Sequence, residues 1–518
     1  MSNKYDDLPL ITGDKIPNYF YLYKPLILLF QSLNLLTIMH KSSEERRDFL
    51  KLTGTLSLGL LSAGVTQSCA TAKPTSSLNH IHQQTLKPHS PIFNMSGYGA
   101  PKIETVRIGY IGLGNRGSGA LNRIVYLENV EIKALCDIRP DKAQTAKKQL
   151  EGTPHNPTVY AGSENEWKKL CERDDLDLIY ICTPWNLHAP MALYAMEQGK
   201  HVAVEIPAAT TLEDCWKLVE TSERTRKHCM MLENCCYDFF ELLTLNMARQ
   251  GFFGEVVHVE GAYIHDIYDS FFDKSKRYDL WRLKENQRNG NLYPTHGLGP
   301  VCQILNINRG DKMDYLVSMA SNDFMLAPRA HALAATDADF KQFANASFRG
   351  NMNTTTIRTQ KGKTIMVQHD VSSPRPYSRI HLVSGTKATA LKYPLPGKIS
   401  TGHDWVSEVE FKNLQEKYQP EIIKRIGELA KKVGGHGGMD FLMDWRLIDC
   451  LRNGLPLDQD VYDAASWSAI APLSEWSVAN RSASIDVPDF TGGAWKTNAP
   501  VDISMTKGGN TKIKERSL

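Results

Sequence analysis

From residue 106 onward the chain repeats one pattern: a short apolar, β-branched run, a turn, then a stretch with helical spacing. The first run is Val106-Arg107-Ile108-Gly109-Tyr110-Ile111, and a helix is expected over residues 118–127. The second covers 130–137 and closes on Asp137. A third, 176–184, is apolar up to a Thr-Pro turn, and residues 186–188 lead into a helix ending near 199. Residues 200–205 form another strand, followed by Ile206-Pro207, a helix over 212–226 and a strand over 229–234. Strands in series, each followed by a helix, specify an α/β fold with a doubly wound parallel sheet of the Rossmann kind. Ligands of such sheets gather at the strands' C-terminal ends, where Asp137, Thr183, Glu205 and Asn234 all fall.

Past residue 237 the rhythm changes. A helix over 239–250 gives way to extended segments at 255–265, 315–321, 344–348, 353–359, 364–369 and 379–384, and Gly385-Thr386-Lys387 looks like a hairpin turn. Several strands with few long helices between them predict a C-terminal α+β domain with an open, mostly antiparallel sheet. Two helices should close it, one from the Gly434–Asp440 stretch through Cys450 and one over 460–477.

The first hundred residues read as address rather than fold. Arg46-Arg47, Phe49-Leu50-Lys51 and a weakly apolar stretch over 52–65 match a twin-arginine export signal. That stretch is too short to span a bilayer comfortably. Two processing points stay open: Cys69 as a lipidated first residue, or cleavage at Ala70-Thr71-Ala72. Met39 lies seven residues before Arg46, so residues 1–38 are expected to be an extension outside the native protein; a membrane-interacting segment at 19–36 is the rival reading. The predicted division is therefore 1–38 extension, 39–72 signal, 73–101 linker, 102–236 Rossmann domain, 237–495 substrate domain and 496–518 tail. The expected location is periplasmic or lipid-anchored at the cell envelope, with no membrane span in the mature part.

At 518 residues there is room for two domains, and 42% hydrophobic with 23% charged residues is an ordinary globular balance. A net charge of +3 with no basic run excludes an evident nucleic-acid surface. Of ten cysteines, Cys136 and Cys182 sit in apolar runs, and Cys235-Cys236 has no second pair at zinc spacing. No metal site is expected.

The chemistry begins at Gly112-Leu113-Gly114-Asn115-Arg116-Gly117, between the first strand and its helix. Glycines there allow a tight turn and let backbone N–H groups approach a pyrophosphate at the positive helix end. Asp137 follows Gly117 by 20 residues, the place of a ribose-binding acid. Its charge favours NAD over NADP, with Arg139 nearby as a counterweight.

The strand series resembles the glucose–fructose oxidoreductase / inositol dehydrogenase superfamily, whose members usually carry Glu-Lys-Pro where this chain has Glu205-Ile206-Pro207. The absent lysine counts against a plain sugar dehydrogenase, the alternative activity on this fold. A non-catalytic sugar or NAD sensor is the third reading. Finer motifs resemble glycoside hydrolase family 109, the NAD-dependent α-N-acetylgalactosaminidases. They are Gly114–Gly117, Thr183-Pro184-Trp185-Asn186-Leu187-His188, Leu232–Tyr237, Asn291–Pro300 and Gly435–Trp445, within a likeness over residues 102–495.

That resemblance implies NAD contacts at Gly112, Gly114, Asn115, Arg116, Gly117, Asp137, Trp185, Asn186, Leu187, His188, Glu205, Ile206 and Asn234. It places the sugar, a terminal α-linked N-acetylgalactosamine of a glycan or glycoconjugate, among Tyr263, Arg282, Tyr293, Pro294, Thr295, His296 and Tyr377. It further implies oxidation at C3, loss of the C2 proton, departure of the aglycone, hydration and return of the hydride, with NAD recycled. His296 is the leading base, assisted by Tyr263 or Tyr293; its rival role is to bind a sugar hydroxyl. His188 is expected to touch the cofactor or start a helix. His436 either approaches the cleft or caps the next helix, and Asp440 and Asp444 read as complements to that helix's dipole. The superfamily also implies pairing of subunits through the open sheet.

Overall fold

The structure is a computed structural model and describes residues 76–514; the segment 19–36, the Arg46-Arg47 signal and Cys69 lie outside the described residues. A helix, α1 (Ser76–Thr85), comes first. The alternating units follow: β1 (Val106–Ile111), α2 (Asn115–Ile124), β2 (Val130–Asp137), α3 (Pro140–Gln149), β3 (Thr158–Ala161), α4 (Glu166–Cys171), β4 (Leu178–Ile181), α5 (His188–Glu197), β5 (His201–Val204), α6 (Leu212–Thr225) and β6 (Cys229–Met231). All six strands run parallel in the order β3-β2-β1-β4-β5-β6. β4, β5 and β6 are buried along their whole length, which is why they read as continuous apolar runs instead of alternating ones. The order reverses between β1 and β4, so the crevice past their C-terminal ends is the ligand position of this topology.

The second part contains α7 (Phe239–Arg249), β7 (Val256–Ile264), α8 (Trp281–Glu285), α9 (Thr295–Leu305), β8 (Met313–Ala320), α10 (Leu326–Ala334), β9 (Asn353–Thr359), β10 (Thr364–Asp370), β11 (Leu382–Gly385), β12 (Thr389–Leu391), β13 (Lys398–Ser400), α11 (Glu408–Tyr418), α12 (Glu421–Val433), α13 (Met439–Asn453), α14 (Val461–Ala479) and β14 (Ile485–Asp486). Its eight strands are ordered β13-β12-β11-β7-β10-β9-β8-β14, and every pairing is antiparallel except β7 with β10. In β9, buried Asn353, Thr355, Ile357 and Thr359 alternate with more exposed residues, the signature of a sheet with one covered face.

α9 lies directly on β7. A Cβ at Gly297 would stand 2.1 Å from the Ala262 nitrogen, and one at Gly261 would stand 2.3 Å from the Gly297 carbonyl oxygen. Only glycines at both positions allow this approach, and it places the start of α9 against the end of β7. α14 packs on α6 and on β8, tying the two sheets into one core, and Asp460 fixes its start through a capping box with Asp463.

Three sequence readings change. α2 begins at Asn115, straight after the glycine turn, rather than at 118. Residues 344–348 are not a strand; they leave a 3₁₀ turn, and Phe343 and Phe348 pack into a small satellite core, so their apolar spacing reports burial without sheet pairing. The stretch expected to be a linker holds α1 and buries Met95, whose N–H donates to the Tyr462 hydroxyl at 3.2 Å. The tail also packs, with Met505 buried and Trp445 Nε1 donating to the Thr511 carbonyl at 2.9 Å. Among the described residues no helix is long and apolar enough to cross a membrane.

Burial leaves several core histidines neutral. It pushes His228 down to about 4 and His381 down to about 3, and holds His201 and His369 well below 6.5. The unfolded chain binds protons on these rings below about pH 6.5 while the folded chain does not, so stability falls with falling pH in that range. Carboxylates held low, such as Glu241 and Asp175 at about 2, act in the same direction only below their ordinary values. The denaturation midpoint is therefore expected to drop between pH 7 and pH 5, above the range in which carboxylates of ordinary pKa take up protons; a flat profile across that interval would contradict this.

Candidate active site

The cofactor side is built from strand ends. Gly112 adopts φ +88° at the end of β1, and a Cβ at Gly117 would stand 1.9 Å from the Gly112 carbonyl oxygen. Gly114 occupies the N-cap of α2 and no side chain caps that first turn, so the helix end is left for an anion. Asp137 closes β2, its carboxylate fixed by the Leu113 N–H at 2.7 Å and the Arg139 N–H at 2.9 Å. A glycine cradle, an uncapped helix end and an acid on the next strand are the donor set of a dinucleotide, and these residues fit NAD.

Arg116 reaches across the crevice. Its Nε donates to Glu205 at 2.7 Å, and its Nη1 lies 3.2 Å from Asp440. Burial lowers the basicity of the guanidinium, but Glu205 and Asp440 more than restore it, so Arg116 stays charged. Asp440 also accepts from Asn234 and from His436 Nδ1 at 2.9 Å. Asp444, one turn on, accepts from Arg123 at 2.7 Å and from the Tyr180 hydroxyl at 2.8 Å. These two aspartates therefore pin α13 to the dinucleotide domain, a task the dipole reading missed. His436 stands beside Arg116 at the cleft and makes no backbone cap of α13, whose N-cap is Gly438.

The remaining cofactor candidates differ in placement. Trp185 is buried at the end of β4, whereas Asn186 and Leu187 are exposed on the same 3₁₀ turn. Ile206 is buried after β5. His188 is buried at the start of α5, with Nδ1 2.7 Å from the Pro207 carbonyl and Nε2 2.7 Å from the Thr183 carbonyl. Both ring nitrogens are occupied by loop carbonyls, so His188 joins two strand-end loops.

The expected sugar residues come together in one aromatic cluster. Tyr293 stacks on Trp185 at 5.4 Å between centroids and approaches Tyr263 at 4.8 Å. The Arg282 guanidinium lies 5.3 Å from the Trp185 ring and 5.4 Å from the Tyr293 ring. His296 meets both tyrosines edge-on at 5.0 Å. Tyr377 closes the cluster 6.4 Å from Tyr263, its hydroxyl accepting from Arg379 at 3.0 Å. Pro294 and Thr295 are buried at the start of α9 and set the His296 backbone in place. Burial pushes both tyrosine hydroxyls up, Tyr293 far above the usual value, so each is a neutral hydrogen-bond donor at working pH.

Two residues absent from the sequence expectations stand in the cluster. His265 follows β7, with Nδ1 2.8 Å from the Tyr263 hydroxyl and its ring 5.0 Å from Tyr377. Glu233 follows β6, fully buried, with Oε1 2.7 Å from His296 Nδ1. Glu233, Cys235 and His296 place an oxygen, a sulfur and a nitrogen within 4.8 Å of one another. Burial drives the Cys235 thiol well up, and the Cys235 N–H donates to Glu233 Oε1 at 3.1 Å. Glu233 Oε1 thus links the His296 ring and the Cys235 backbone.

Residues 237–497 match the glycosyl hydrolase 109 C-terminal domain, and residues 106–233 match the oxidoreductase family with an NAD-binding Rossmann fold. A glycosyl hydrolase family 109 protein of Bacteroides thetaiotaomicron is 51% identical over 414 residues, covering 76% of this chain and 86% of that protein. The chain belongs to glycosyl hydrolase family 109. It is thus a glycoside hydrolase that uses NAD. A second relative, named alpha-N-acetylgalactosaminidase, from Bacteroides fragilis, is 53% identical over 409 residues, 77% of this chain and 95% of that protein. Among solved structures, levoglucosan dehydrogenase in complex with NADH superposes with a TM-score of 0.54 at 16% identity, over 74% of this chain and all of that one. An aldose-aldose oxidoreductase from Caulobacter crescentus gives 0.53 at 17%, over 74% of this chain and 99% of that one; both likenesses concern the fold.

Proposed function

We propose that this enzyme removes terminal α-linked N-acetylgalactosamine from glycans or glycoconjugates by a redox-assisted elimination. The observation that carries the reading is the placement of His296. It stands among Tyr263, Tyr293 and Arg282, one stacked ring away from the cofactor-side Trp185. The 53%-identical relative named for this activity supports the choice of sugar.

Bound NAD supplies a reversible oxidation of the sugar C3 hydroxyl, so the cycle ends with no net NADH. This chain's residues supply the rest. Arg282 and the tyrosine rings hold the sugar face, and the neutral tyrosine hydroxyls donate to its oxygens. A ketone at C3 acidifies the C2 proton, and His296 takes that proton through Nε2. The C1–aglycone bond breaks as the C1–C2 double bond forms, the aglycone oxygen keeping the bonding pair and taking a proton from solvent; water then adds its hydroxyl at C1 while His296 returns a proton to C2. Ile206 is buried and apolar where dehydrogenases resembling this fold carry a lysine, so proton handling falls to the histidine and tyrosines. Arg46-Arg47 and the apolar stretch after them support export of the folded, NAD-loaded enzyme through the twin-arginine route to the cell envelope.

The test is cleavage of a chromogenic α-N-acetylgalactosaminide by purified protein, with absorbance of NADH followed alongside. Release of the chromophore without accumulation of NADH is expected. NADH growth with free sugars and no release from any N-acetylhexosaminide would replace the glycosidase reading with a dehydrogenase.

A further inference from the structure

We infer that Glu233 is the positioning residue for His296, a buried carboxylate that fixes the ring's tautomer and stabilises the imidazolium formed during the reaction. The inference rests on the proposed role of His296 as the base.

Four observations carry it. First, Glu233 Oε1 stands 2.7 Å from His296 Nδ1, and the Glu233 side chain is 0% exposed against 13% for His296. A contact this short needs a proton between the two atoms, and an ionised carboxylate has none to give. Burial alone would favour the neutral acid. The His296 ring and the Cys235 N–H overcome that, so the Glu233 carboxyl lies below its ordinary value and is ionised. Nδ1 therefore carries the hydrogen, and Nε2 presents its lone pair. Second, the hydrogen bond of the His296 ring among the described residues is the one at Nδ1, which leaves Nε2 uncommitted. Third, the carboxylate cannot swing away. Cys235 N–H donates to Oε1 at 3.1 Å, and Gln459 holds the Glu233 carbonyl at 3.0 Å. α9 also presses a glycine against the side chain, and a Cβ at Gly299 would stand 2.9 Å from Glu233 Cγ. Fourth, Tyr263 and Tyr293 both meet the ring edge-on, so it cannot tilt out of this contact.

In the proton step, the C2–H bond breaks, its electron pair moves toward the ketone, and the proton goes to Nε2. The ring then bears a positive charge 2.7 Å from a buried negative one. The other groups facing His296 are Cys235 from the same turn as Glu233, Tyr263 and His265 from β7 and the residues after it, Arg282 from α8, and Tyr293 from the turn before α9. Arg282 is cationic and opposes the imidazolium, the tyrosines and the thiol are neutral, and Glu233 is the one anion in this shell among the described residues.

The test uses the NAD-loaded enzyme and Glu233→Gln, which keeps shape and an acceptor oxygen but removes the charge. It is expected to lower kcat about 10- to 100-fold, by the logic of a mis-supported catalytic histidine, with KM nearly unchanged. The acid limb of its kcat profile should move to lower pH by about one unit, because the protonated ring has lost its counter-charge. Glu233→Asp keeps the charge and should leave the acid limb in place while kcat falls. Bound NAD and thermal midpoint serve as controls for folding. An unchanged acid limb and kcat in Glu233→Gln would overturn the inference. A second readout does not depend on activity. In ¹⁵N-histidine spectra of the unaltered protein, the resonance lost in His296→Gln should be the Nδ1–H tautomer; an Nε2–H tautomer would overturn the inference. Failure of the glycosidase reading would appear separately, as no aglycone release by the unaltered enzyme.

Discussion

Replacing His296 by alanine is expected to lower kcat for α-N-acetylgalactosaminide cleavage by about 10²- to 10⁴-fold, the range a positioned general base contributes. The ring is 13% exposed, wedged between two tyrosines and bonded to a fully buried carboxylate. Among the described residues the neighbouring rings are placed differently: His265 lies beyond Tyr263, its Nδ1 2.8 Å from that hydroxyl, and His369 is 1% exposed. His296 begins a helix of the second domain, away from the glycine turn, so bound NAD should remain at its usual stoichiometry after gel filtration. The competing role, a hydroxyl-binding ring, makes a different signature. It would raise KM with kcat nearly kept, because an interaction made equally in ground and transition states acts on binding alone.

The second large effect is expected from Gly117→Ala. The added methyl would meet the Gly112 carbonyl oxygen at 1.9 Å and its carbon at 3.0 Å, both backbone atoms of the turn. No rotamer relieves such a contact, so the first turn of α2 must move off β1, opening the place where a pyrophosphate would be bound. Overpacking of this kind costs about 1–3 kcal/mol. Most of that cost should appear as lost NAD affinity, since the strained turn and the cofactor cradle are the same atoms. Purified Gly117→Ala should carry little NAD and regain activity only at high added NAD. Gly119→Ala, two residues on, is the control: its Cβ would meet nothing closer than the flexible Arg123 guanidinium at 3.4 Å. Equal NAD content in the two variants would contradict this account of the turn.

The parallel sheet was readable because strands buried on both faces are continuous apolar runs, each ending at a turn or a polar residue, and β1, β4 and β5 have that form. Strands β9 and β10 show one-sided alternation. Residues 344–348 show the limit, since Ala346 and Phe348, two apart, serve a satellite core as well as they would a strand. Segments without periodicity were harder. The segment after α1 and the tail attach through scattered single contacts, such as Met95 to Tyr462 and Trp445 to Thr511, that no local pattern announces.

At the site, the glycine turn and Asp137 stand out because their spacing along the chain is their chemistry. The Glu233–His296 pair does not, because its members lie 63 residues apart and meet only when α9 seats on β7. Asp440 and Asp444 were visible as charges one turn apart, but their partners Arg116 and Arg123 are more than 300 residues away. His265 sits two residues from Tyr263 on an exposed-looking strand end, and only the fold turns it toward Tyr377.

The central claim, that the glycosidic bond breaks by elimination after oxidation, is tested most directly by running the cleavage in D₂O. Chromophore release and the C2 position of the freed sugar would be followed together by absorbance and NMR. Deuterium at C2 of the product, with no net NADH, is the expected result, because His296 returns a solvent-exchanged proton to that carbon. Full release with protium retained at C2 would contradict it and require a direct displacement at C1.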